Sequence, residues 1–188
     1  MKYKIQEEKT IFDQFFKIKE AKIEHDSFHG EQVEVTRLCF ERGDSVAIVL
    51  FEKDTDSFLF TKQFRYPAIK EDGWIVELTA GSIDHGEEPE MAVRREVEEE
   101  IGYGINELEF LYSFFVSPGG TSERIFLFYA EVNSTQKLLE GGGKFSEKED
   151  IELVKIKRKY LEEKLKNNLF RDAKTIIGVQ WFLNNKKS

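Results

Sequence analysis

The chain has 188 residues, 40% of them hydrophobic, enough for one domain with its own core and an added N-terminal element. Its formal charge of −8 argues against a nucleic-acid or anionic-membrane surface, both of which reward basic patches, yet admits a phosphate-bearing small molecule screened by a metal. The single cysteine, Cys39, excludes an intrachain disulfide, and the charged N-terminus and lack of a long apolar run predict a soluble cytoplasmic protein without a signal peptide.

Residues Phe15 to Glu24 and Gln32 to Arg42 read as two strands joined by the turn-prone run Asp26-Ser27-Phe28-His29-Gly30. Cys39 lies in the alternating part of the second strand and reads as a structural thiol. Ser45 to Glu52 is a nearly continuous apolar run, the mark of a strand buried on both faces. Ser57 to Phe64 follows as another strand, and Trp74 to Thr79 reads as a strand leading straight into a helix. That helix opens with Pro89, whose missing N–H costs nothing in a first turn, and ends at Gly102. Val93, Val97 and Ile101 recur every fourth residue and make its apolar stripe. Leu108 to Val116 and Arg124 to Val132 are strands flanking a Ser-Pro-Gly-Gly-Thr turn. A glycine-rich polar loop, Glu140 to Lys148, precedes a strand from Asp150 to Lys157. Helices over Tyr160 to Leu169 and Asp172 to Asn185 close the chain.

Beside the apolar stripe of the central helix, Glu96, Glu99 and Glu100 project together. Like charges three and four residues apart destabilise a helix by a few tenths of a kcal/mol, roughly, per pair. Taken alone, such a run is either a solvated glutamate-rich face or a set of hard oxygen ligands for a divalent cation.

The stretch from Gly81 to Tyr103, GSIDHGEEPEMAVRREVEEEIGY, resembles the Nudix box, G-x5-E-x7-R-E-U-x-E-E-x-G-U with U a bulky apolar residue. Gly81, Glu87, Arg95, Glu96, Val97, Glu99, Glu100 and Gly102 all match; Tyr103 stands where an aliphatic residue is usual. The resemblance implies an α+β fold: an α/β/α sandwich around a mixed sheet, with an N-terminal strand hairpin. Residues 1–43 then form a strand and dimerisation element and residues 44–188 the Nudix hydrolase domain. It further implies a homodimer with exchanged N-terminal strands.

The resemblance also implies water attack on the pyrophosphate of a nucleoside diphosphate derivative, assisted by Mg²⁺, with Mn²⁺ as the alternative. Its metal ligands map to Glu96 and Glu100, one helical turn apart, then Glu99, the carbonyl of Ala80 and Glu149. Arg95 belongs to the catalytic box and pairs with Glu87, shaping the site. The general base maps to Glu147 on the glycine-rich loop, whose three glycines suggest a mobile approach; Glu99 is the other candidate.

Ser117 to Arg124, SPGGTSER, resembles ADP-ribose pyrophosphatases. On that resemblance Pro118 and Glu123 bind substrate, Glu123 reaching the terminal ribose. Arg65 matches a pyrophosphate-binding arginine, and Arg37 a second one more weakly. Phe15 aligns with an aromatic that stacks on adenine, although packing explains a phenylalanine there equally well. The run RDAKTIIGVQWFL and the glycine-rich loop look as much like the GDP-mannose branch, so a nucleotide-sugar substrate is the alternative. A non-catalytic Nudix-like module is a third reading, weakened by the intact acidic positions.

Overall fold

The structure is a computed structural model describing residues 1–144, 146 and 148–186. The chain divides into two compact units, Met1–Asp44 with Phe115–Arg124, and Ser45–Phe114 with Ile125–Ser188.

The first unit carries an antiparallel sheet in the order β1 (Tyr3–Asp13), β2 (Lys17–Asp26), β3 (Gln32–Glu41). β2 and β3 pair without interruption from Lys17↔Glu41 to Asp26↔Gln32. The joining turn is tied by Ser27, whose hydroxyl accepts from the amides of His29 and Glu31. The expected two-stranded hairpin is therefore a three-stranded sheet. β1 left no legible pattern because every one of its residues is exposed and two bulges, at Ile5/Glu7 and Thr10/Phe12, break the alternation. What holds it is backbone pairing and cross-strand ion pairs such as Lys9–Glu20 at 2.7 Å.

The second unit is built on a seven-stranded sheet whose main path runs β10 (Glu152–Lys157), β5 (Ser57–Phe64), β4 (Ser45–Glu52), β9 (Arg124–Val132), β8 (Glu109–Phe115). β4 is buried at every residue and its side chains alternate between two cores. Val46, Ile48 and Leu50 pack with Ala92, Val93, Val97 and Ile101 of α1 (Pro89–Ile101). Ala47, Val49 and Phe51 pack with Leu161 of α2 (Arg158–Lys166) and with Val179 and Phe182 of α3 (Ala173–Asn185). A mixed sheet between helices on both faces is the layer order expected.

One irregularity places the site. β4 pairs with β5 only over Leu50–Glu52; at its other end it pairs with β7 (Ala80–Ser82), while β5 pairs with β6 (Trp74–Glu77). The strand expected over Trp74 to Thr79 ends at Glu77, and an unanticipated short strand, β7, stands between it and the helix. The chain changes partner at Leu78-Thr79, and a turn separates Ser82 from Pro89. The sheet splits there, and α1 lies beside the split.

Candidate active site

Ala80 sits in the split next to the acidic flank of α1: its amide donates to Glu100 Oε2 at 3.3 Å. Glu100 is 4% exposed and has no ion-pair partner among the described residues. Burial, then the neighbouring charges of Glu96 and Glu77, raise its carboxyl well above the ordinary value. Glu96 is also raised, first by burial, although Arg95 Nη1 donates to it at 2.6 Å.

Gly81 explains how Glu96 fits. A Cβ on Gly81 would stand 2.0 Å from Glu96 Cδ, so the carboxylate occupies the space a side chain would take.

Arg95 is the hub of the box. Nε and Nη2 grip the two oxygens of Glu87, each at 3.0 Å; Nη1 also reaches Glu99 Oε2 at 3.1 Å, and Nη2 the carbonyl of Ser82 at 3.0 Å. These bonds hold the Glu87 carboxyl below its ordinary value, the contact with Arg95 contributing most. Glu87 also accepts the Asp84 amide at 3.0 Å, which ties the turn before α1 to the helix. Glu99 is shared between Arg95 and Lys144 Nζ, the latter at 3.1 Å.

The glycine-rich loop is docked rather than free at its start. Gly141, Gly142 and Gly143 all have positive φ, and the amides of Gly142 and Gly143 donate to the carbonyls of Glu100 and Glu99 at 2.8 and 3.1 Å. They cap the C-terminal end of α1. Glu149 folds back to accept the Lys144 amide at 2.8 Å. Glu147 lies outside the described residues.

Arg65 directs Nε at Glu77 Oε1 across 2.7 Å, and among the described residues its two Nη groups make no protein hydrogen bond. Glu77 and its second partner, Lys174, were not anticipated. The available signals were a lone carboxylate in an apolar strand, Trp-Ile-Val-Glu, and a lysine two residues after the Asp172 cap.

The remaining candidates belong to the first unit. Glu123 faces Arg42 at 3.7 Å. Arg37 is exposed on β3 and donates to the Thr36 carbonyl at 3.0 Å. Phe15, at the β1–β2 turn, is 92% exposed and meets Phe16 edge-on. Pro118 lies in the turn closed by bonds from Gly120 and Thr121 to the Ser117 carbonyl.

A family model for the NUDIX domain matches residues 41–176. The chain belongs to the NUDIX domain family. It is an enzyme of the hydrolase type, and its Nudix relatives cover it almost end to end. It is 32% identical over 176 residues to the GDP-mannose pyrophosphatase of Cronobacter sakazakii, covering 92% of this chain and 91% of that one. It is 34% identical over 181 residues to the ADP-ribose pyrophosphatase of Haemophilus influenzae, covering 93% and 82%. Among solved structures, an ADP compounds hydrolase superposes with a TM-score of 0.74 at 20% identity, covering 100% of this chain and 98% of that one, which identifies the shared fold.

Nudix hydrolases generally use a divalent cation, and the donor chemistry here fits one. Glu100 is a buried and Glu96 a half-buried oxygen donor, and the carboxyls of both are raised partly by nearby carboxylate charge, an environment a hard cation relieves. No group of three or more metal-binding side chains is preassembled among the described residues.

Proposed function

We propose that this Nudix hydrolase cleaves the pyrophosphate bond of ADP-ribose, giving AMP and ribose 5-phosphate, with Mg²⁺ held by Glu96, Glu100 and the Ala80 carbonyl. The observation that carries the proposal is Glu100, a buried carboxylate with no ion-pair partner among the described residues, one turn from Glu96 and bonded to the strand end at Ala80. Glu99, whose Oε2 is shared by Arg95 and Lys144, would complete the ligand set, and Mn²⁺ suits the same oxygens. Glu149, one oxygen of which accepts the Lys144 amide, is the further candidate ligand.

When bound, the cation supplies charge neutralisation to the phosphate oxygens. The chain's own residues do the rest. Arg65 offers its two Nη groups to a phosphate, the planar fork suiting two oxygens at once. Arg95 holds Glu87, Glu96 and Glu99 in one array, so the carboxylates keep their positions before substrate arrives. Glu147 accepts the proton of the attacking water, and Glu99 is the alternative base. In the first unit, Glu123 takes the terminal ribose, Arg37 a second phosphate contact, Phe15 the adenine face, and Pro118 shapes the turn that carries Glu123.

GDP-mannose is the second reading, favoured by the 32% identity to a GDP-mannose pyrophosphatase and by the Arg171-Asp172 pair before α3. The same reading makes the protein a cytoplasmic homodimer that exchanges N-terminal strands; among the described residues no helix is long and apolar enough to cross a membrane.

The test is hydrolysis of ADP-ribose, GDP-mannose and UDP-glucose with Mg²⁺ and then Mn²⁺, products separated by chromatography. The highest kcat/KM is expected for ADP-ribose. A preference for GDP-mannose would replace the substrate and keep the mechanism; turnover that survives chelation would remove the metal.

A further inference from the structure

Arg65 is the one candidate phosphate ligand in the second unit, and its orientation depends on a buried charge chain that ends in α3. Its Nε donates to Glu77 Oε1 at 2.7 Å. The other oxygen of Glu77 is taken by Lys174 Nζ, which also meets Asp172 Oδ2 at 3.0 Å. Lys174 is 9% exposed and Glu77 3%. Asp172 is itself held as the N-cap of α3, accepting from the Thr175 amide at 3.1 Å and hydroxyl at 2.7 Å. The Thr175 hydroxyl in turn accepts the Leu78 amide at 2.9 Å, and the Thr61 hydroxyl donates to the Glu77 carbonyl at 3.3 Å. The first turn of α3 thus grips Glu77-Leu78 by side chain and by backbone, just ahead of the Ala80 position.

Burying an ammonium and a carboxylate together seldom adds net stability over an apolar pair, because desolvation offsets the attraction. Apolar α3 neighbours such as Val179 and Phe182 show that this helix has apolar alternatives to hand. The lysine has a geometric consequence that an apolar residue lacks. With one Glu77 oxygen committed to Lys174, the carboxylate presents a single oxygen to Arg65, which engages Nε and leaves both Nη groups. A Glu77 released from Lys174 would gain the two-pronged grip that guanidinium and carboxylate prefer, and the Nη edge would be lost to a phosphate.

We infer that Lys174 is a positioning residue for the Arg65 guanidinium, acting through Glu77 to keep both Nη groups available to the diphosphate. The inference rests on the pyrophosphatase reading above, because it assigns Arg65 to that substrate.

The experiment is a double-mutant cycle of Lys174→Met and Arg65→Ala in the full chain. Two readouts are taken: kcat/KM with Mg²⁺, and Kd for ADP-ribose and GDP-mannose by calorimetry with the metal chelated. Lys174→Met is expected to weaken ligand binding about tenfold in the Arg65 background and not at all once Arg65 is alanine. Lys174→Arg, which keeps the charge, is expected to restore most of the loss. Effects that multiply would overturn the inference, since a merely structural lysine damages the site with or without Arg65. If Lys174→Met does not fold, Glu77→Gln takes its place in the same cycle, with the same non-additivity expected and multiplicative effects again counting against the idea. Wild-type protein that neither binds nor hydrolyses either compound would bring down the pyrophosphatase reading and this inference together; active wild-type with a multiplicative cycle would bring down only the inference.

Discussion

The hydroxyl of Tyr103 donates to Glu52 Oε1 across 2.5 Å, deep in the second unit, at the one position where the box departs from an aliphatic residue. Lys155 completes the cluster, its Nζ donating to both Glu52 oxygens at 2.8 Å and to the Tyr103 oxygen at 3.0 Å. The end of the box, the far end of β4 and strand β10 are joined at this point. Burial, the largest influence on the Glu52 carboxyl, pushes it upward; the bonds from Lys155, Thr55 and Tyr103 outweigh it and leave the group below its ordinary value. Replacing Tyr103 by leucine, the family's usual residue type, should therefore destabilise this chain by about 1–3 kcal/mol in urea titrations at neutral pH. A carboxyl with a lowered folded pKa contributes stability above its unfolded value, 4.5, and loses it as pH falls through the folded one. The gap between variant and wild type should narrow in that acid range.

Glu100 carries the opposite sign. Its folded pKa is raised well above 4.5, so the folded state holds a proton that the unfolded state releases. Stability of the metal-free protein should fall as pH rises from 4.5 toward the folded pKa. Glu100→Gln should accordingly be more stable than wild type at neutral pH with the metal chelated. Its kcat/KM should drop by more than the roughly hundredfold typical of losing an outer partner of a metal ligand. Melting and turnover measured on the same samples would separate the two effects; a Glu100→Gln protein less stable than wild type would contradict this account of the site.

Gly81 and Gly141 should respond differently to alanine. At Gly81 the atoms nearest the added methyl are the far end of the Glu96 side chain, which can swing away. Stability should change little, while moving that carboxylate should lower kcat about a hundredfold. At Gly141 the methyl would meet the backbone at Ile101 Cα, 2.6 Å away, and φ is +75°. Gly141→Ala should cost at least about 1–2 kcal/mol from the left-handed backbone alone, read as a lowered Tm.

Glu147→Gln tests the base. Loss of a general base removes about 10²–10⁴ from the rate, so kcat should fall by that much with KM nearly unchanged. An unaltered kcat would pass the role to Glu99.

The first unit exposes Tyr3, Ile5, Ile11, Phe12 and Leu38 on its sheet, apolar surface suited to a second copy. Light scattering should give about twice the chain mass of 22.0 kDa. Phe12→Asp should shift the population toward the monomer; a monomeric wild type would rule the exchanged dimer out.

The box helix was legible because its information is local. Proline start, glycine cap and a four-residue apolar period all lie within one stretch of chain, and Pro89–Ile101 forms as read. The alternation and apolar runs of β4, β5 and β9 were legible for the same reason: burial imprints them. β1 carried no such imprint, because a fully exposed, bulged strand needs no apolar period. The glycines at 141–143 read as slack, since a sequence shows conformational permission and not the carbonyls that use it. By itself, then, the sequence determined the helix, its carboxylates and the family chemistry they carry. Only the tertiary structure decided which of those carboxylates is buried without an ion-pair partner among the described residues, and that Arg65 shares Glu77 with a lysine whose bond to that glutamate spans 97 residues. Such a contact is set by where α3 packs on the sheet, and no local propensity encodes it.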